Sequence, residues 1–148
     1  MMIDQLMSNR IMSTEEEFIL FEEALASLNK KYESDGLEEQ TIEKLYLVLD
    51  DNCEAFEVMW GLVHFLEHID RKAFYFVKTI PQINENAPEW MELMLKRRLN
   101  HKDVIHDLKQ LYLLSPDIVQ YHIKSVLNKI QKNNPDRFHE KVKFVLDM

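Results

Sequence analysis

At 148 residues, 46% hydrophobic and 30% charged, the chain is long enough for one domain that buries roughly 70% of its unfolded surface, and its composition excludes intrinsic disorder. Two glycines, four prolines and a single cysteine offer too few turn formers for a sheet protein and no internal disulfide. The net charge of −8 is uneven: residues 1–70 hold 17 Asp and Glu against 4 Lys and Arg, or −13, while residues 71–148 hold 9 against 14, or +5. The acidic half reads either as a solvated face or as a negative surface for a basic partner, and it argues against nucleic acid as a ligand.

The first residues lack the apolar core of a signal peptide, and no run approaches the roughly 20 apolar residues of a membrane span. A cytoplasmic protein is expected, with Cys53 as a small buried hydrophobe. Residues 1–12 read as an N-terminal extension, expected to be poorly ordered, ahead of a single all-helical domain over 13–148.

Helical period begins with Phe18, Phe21, Leu25, Leu28 and Tyr32, spaced 3-4-3-4 on one stripe. Ser13-Thr14-Glu15-Glu16 before it predicts a capping box between the serine and the glutamate three residues on. Asp35-Gly36 stops this helix. A second is predicted over 37–50, on Ile42, Leu45 and Leu49. Asp51-Asn52 then breaks the chain and caps a third over 53–69, where Phe56, Met59, Val63 and Leu66 repeat the period. Ala55, Val58, Trp60, Leu62, Phe65 and Ile69 widen that stripe nearly all round, as expected of a central helix. A fourth covers 71–80 and ends at Pro81.

The second half repeats one device. Asn86-Ala87-Pro88-Glu89, Ser115-Pro116-Asp117 and Asn134-Pro135-Asp136 each place a proline in a first helical turn behind a capping residue, where its missing amide costs nothing. Helices are therefore predicted over 88–99, 102–114, 116–132 and 135–147. About eight short antiparallel helices result, either stacked as HEAT-like hairpins or closed into an irregular bundle.

Three constellations bear on chemistry. His64-Phe65-Leu66-Glu67-His68 matches the H-x-x-E-H pattern of inverted zinc peptidases, in which two histidines one turn apart share a zinc and the glutamate activates water. The chain lacks the strands of that fold, and Glu140 is the only acidic candidate at a plausible distance downstream for a third ligand. Asp103-x-x-His106 and Asp136-x-x-His139 fall in first helical turns, where aspartate suits the helix dipole. Lys96-Arg97-Arg98, with Trp90 upstream, is too brief for a nucleic-acid groove and complements a helix end. No nucleophile elbow or phosphate loop is present. No catalytic residue, metal or cofactor is therefore assigned.

The third helix also carries a polar seam. Glu57, Gly61, His64, His68 and Arg71 follow 4-3-4-3 spacing, with Glu54 one turn earlier. Gly61 costs about 1 kcal/mol against alanine inside a helix, so either another backbone approaches it or the seam forms a shallow face for a partner.

Residues Asp50-Asp51-Asn52-Cys53-Glu54-Ala55-Phe56-Glu57-Val58-Met59-Trp60-Gly61-Leu62-Val63-His64-Phe65-Leu66-Glu67, with Ala87-Pro88-Glu89-Trp90 and Arg97-Arg98-Leu99-Asn100, resemble the immunity protein 30 family of bacterial polymorphic toxin systems. The similarity covers about residues 15–130 and is most specific over Val58–His64. It implies an all-α protein, encoded beside a secreted toxin that it neutralises, and carries over no catalytic residues. The expectation is a non-enzymatic, cytoplasmic immunity protein in a stoichiometric complex with a cognate, basic toxin domain. Asp50, Asp51, Glu54, Glu57, His64 and Glu67 are the candidate partner-binding residues. A helical adaptor, or a zinc-dependent hydrolase built on His64, Glu67 and His68, are the alternatives, and the oligomeric state is left open.

Overall fold

The computed structural model describes residues 2–147, and among these it contains nine α-helices and no strand, as expected of an all-α chain. The helices fall into two compact units that divide between Ile69 and Asp70. That boundary coincides with the change of sign in the charge pattern.

The first unit holds α1 (Met2–Asn9), α2 (Glu15–Asp35), α3 (Glu39–Tyr46) and α4 (Phe56–Ile69). The stretch read from sequence as an N-terminal extension forms α1, which packs on α2 and α3 and buries Leu6 completely. A turn with Met12 in the left-handed region (φ 56°) follows and leads into α2.

The capping box is one residue later than predicted. Thr14 is the cap, its hydroxyl accepts from the Glu17 amide, and the Glu17 carboxylate accepts from both the amide and hydroxyl of Ser13. These Ser13 contacts hold the Glu17 carboxyl below its ordinary value. At the other end, Gly36 adopts φ 75° and ψ −176°, a region open essentially to glycine, and donates to the Tyr32 carbonyl, which stops the helix.

Helix α3 is shorter than the predicted 37–50, and α4 starts three residues after the predicted 53. The reason lies at Asp50. Its carboxylate accepts from the Asn52 amide (2.8 Å) and its carbonyl from the Cys53 amide (3.3 Å), which fixes residues 50–53 as a turn. Ala55 then supplies the first carbonyl of α4. Helix α4 packs on α2 and α3 and buries Met59, Leu62, Val63, Phe65 and Leu66.

The second unit holds α5 (Phe74–Asn86), α6 (Pro88–Leu99), α7 (Val104–Leu114), α8 (Asp117–Asn133) and α9 (Pro135–Leu146). The fourth predicted helix is displaced at both ends. The buried Asp70 carboxylate accepts from the amides of Tyr75 and Phe76, so 70–73 is a turn and the helix starts at 74. Pro81 does not end it. Burial of Ile80 and Ile83 on either side carries the helix to Asn86, against a proline cost of about 3 kcal/mol.

Pro88 and Pro135 occupy first turns as predicted, whereas Pro116 stands one place earlier, at the cap. Within this unit α5 packs on α8 and α6 on α9, in addition to sequence neighbours. A linear stack of hairpins brings only adjacent repeats together, so these crossings describe a closed bundle.

A candidate partner-binding groove

Helix α2 and the start of α4 diverge in the first unit and leave an open groove of about 870 Å³, within the size range of binding clefts. One wall is Phe18, Glu22, Leu25, Ala26 and Asn29 of α2. The other is Glu54, Ala55, Phe56, Glu57, Val58, Gly61 and Phe65. Three lining residues are acidic and none is basic. Phe56, expected in the core, is 56% exposed at the mouth.

The local sequence explains the geometry. The α2 stripe read as a single apolar face splits in two: Phe21, Ala24 and Leu28 are buried, while Phe18 and Leu25 are rotated toward the groove and half-buried. Glu22 follows Phe18 by four residues and Asn29 follows Leu25 by four, so all four share one face. On the opposite wall, the Glu54 amide donates to the Ile11 carbonyl at 2.7 Å. Arg10 reaches the Asp50 carboxylate at 3.2 Å. Together these tie residues 50–54 to the turn between α1 and α2 and fix where the acidic wall begins.

The six candidate residues separate on inspection. Glu54 and Glu57 line the groove, both exposed, and neither carboxylate has an ion-pair partner among the described residues. Asp50 does not reach outward as expected. It is 5% exposed, paired with Arg10, and organises the turn. Asp51 is half-buried in that turn. His64 lies exposed further along α4, with its ring 5.5 Å from that of Trp60, and Glu67 is half-buried beyond it.

Gly61 lines the groove, and no backbone from outside α4 comes within 4 Å of where its Cβ would stand. A methyl group built there meets, within 4 Å, only the Leu25 Cδ2 atom, at 3.5 Å. Reading the sequence missed Glu22, Asn29 and the opening of Phe56. The available signal was the i, i+4 adjacency of Glu22 to Phe18, which becomes a groove only once α2 is known to face α4.

The H-x-x-E-H pattern sits on α4 as predicted, but its histidines have aromatic neighbours. His64 stands by Trp60, and the His68 ring meets Tyr32 edge-on at 5.6 Å, with Tyr32 also edge-on to Phe65 at 6.0 Å. Among the described residues, no three His, Cys, Asp or Glu side chains converge as a metal site. No described helix is long and apolar enough to cross a membrane.

A family model described as immunity protein 30 matches residues 8–108, from the end of α1 into α7. No curated protein and no solved structure matches the chain.

Proposed function

Because the chain belongs to the immunity protein 30 family, we propose that it binds a bacterial toxin domain and neutralises it as a stoichiometric complex in the cytoplasm, with no chemistry of its own. The observation that carries this reading is the groove, which joins an apolar floor to three acids and no base. Apolar area supplies affinity, and the acids on its rim raise the rate of encounter with a basic surface. Toxins that act on nucleic acid present such surfaces, and a cluster of carboxylates imitates the phosphates they recognise. Glu54 and Glu57 are the proposed contacts, with Asp51 before them and His64 and Glu67 further along the same stretch. Asp50 belongs to this proposal as the residue that holds the acidic wall in place.

The test uses the toxin domain encoded beside the gene, as the resemblance implies. Expressed alone, that domain should arrest growth, and co-expression of this chain should restore it. The two purified proteins should elute together at a fixed stoichiometry. Growth arrest that persists despite co-expression, with separate elution, would refute the proposal.

A further inference from the structure

Gly61 is unexplained by the fold. It lies inside α4, where alanine is conformationally better, and the added methyl group would make only one ordinary side-chain contact, with Leu25. Glycine inside a helix is useful where something outside must come close to the backbone. The open side of this position is the groove. The same groove is lined by Phe56, which is 56% exposed, and by Glu22, Glu54 and Glu57.

Resting on the toxin-binding reading, we infer that the groove receives a protruding segment of the toxin that presents a lysine or arginine, with its backbone crossing α4 at Gly61. The aliphatic stem lies along the apolar lining, and the cation faces a groove lined by three acids and no base. Long basic side chains suit this combination, since the stem is buried while the charged head stays wet. A small polyamine would satisfy the carboxylates as well, but it would have no use for bare backbone at Gly61. Charge complementarity and the missing side chain therefore point to the same occupant, a basic protein segment.

The experiment measures binding kinetics of the neighbouring gene's toxin domain, in inactivated form, to the full chain and two variants, beside thermal melting of each. Gly61→Ala should melt about 2–4 °C higher, because the helix gains and the core loses nothing. Its complex should nevertheless dissociate roughly tenfold faster, as expected when a packed interface is disturbed. The second variant, Leu114→Ser with Ile118→Ser, alters the exposed apolar patch of the other unit and should bind like the wild type. Equal dissociation from Gly61→Ala and wild type overturns the inference while leaving the immunity reading intact. A lower melting temperature for Gly61→Ala also overturns it, since the glycine would then serve the fold. Loss of binding only in the Leu114 and Ile118 variant moves the docking surface off the groove. No complex with the wild type refutes the immunity reading itself.

Discussion

The groove acids of the first unit and the charged side chains of the second unit are held differently. In the second, several charges are taken up internally. Glu92 meets Lys129 at 3.1 Å and Lys96 at 3.3 Å. Lys109 of α7 donates to the Phe144 and Asp147 carbonyls at the end of α9 and lies 4.9 Å from the Phe144 ring centre. Lys141 reaches the side chain of Asn100 at 2.6 Å. In the first, residues 1–69 carry 16 acids against 4 Lys and Arg, or −12, while residues 70–148 carry 10 against 14, or +4. The groove acids Glu22, Glu54 and Glu57 have no ion pair among the described residues. A charge with an internal partner supports the fold. A charge without one costs self-repulsion and remains available to another molecule.

The strongest way to break this contrast is to invert it. Glu54→Lys with Glu57→Lys should slow association with the toxin domain by about an order of magnitude or more, with the wild-type rate falling as salt rises. Stability should change by less than about 0.5 kcal/mol, as for exposed substitutions generally. The control reversal belongs at Lys124 and Lys132, because Lys129 is engaged with Glu92. If both double variants associate at the same rate, whatever the salt, the acidic rim steers nothing.

Asp50→Ala sharpens the contrast from within the acidic unit. It removes a nearly buried partner of Arg10 and the acceptor for the Asn52 amide, so it should cost about 2 kcal/mol in denaturant unfolding. A cost near zero would return Asp50 to the solvated acids. Lys109→Met should follow with about 1 kcal/mol, since it uncaps the end of α9 while keeping most of the side-chain volume. Unchanged stability there would show that the α9 carbonyls are equally well served by water.

The smallest effect concerns pH. Burial pushes the Glu92 carboxyl up, but Lys129 and Lys96 outweigh it and hold the group below its ordinary value of 4.5. A lowered folded value favours the folded state above pH 4.5, and that contribution disappears as acidification takes the pH through the folded value. Glu92→Gln should therefore lower stability at neutral pH by less than about 1 kcal/mol, given the partial exposure of the pair. The gap to wild type should close on acidification. A gap that widens instead would reverse the sign assigned to Glu92.

Most helices were legible because their signals are local. Pro88 and Pro135 in first turns and Gly36 at a C-cap need no tertiary context. Failures occurred where a distant partner decided the outcome. Helix α1 forms around Leu6 in contact with other helices, and α5 passes through Pro81 because the flanking isoleucines are buried. For the site, the α4 wall was visible in the spacing of Glu54, Glu57 and Gly61. The α2 wall was not, since Phe18 and Leu25 look like core residues until the facing helix is placed. Asp50 was misjudged for a related reason: Arg10 lies forty residues away, and only folding makes it a neighbour.

The ties that hold residues 50–54 also bear on what binding costs. The Arg10 pair, the Asn52 turn and the bond from the Glu54 amide to the Ile11 carbonyl set this stretch of backbone before any partner arrives. Fixing a residue's backbone costs about 1–2 kcal/mol of conformational entropy. Here that cost is met during folding, with Glu54 already held in the groove lining. On the proposed reading, an incoming toxin has only its own segment and a few exposed side chains to order, and preorganisation of this kind converts contact area more fully into affinity.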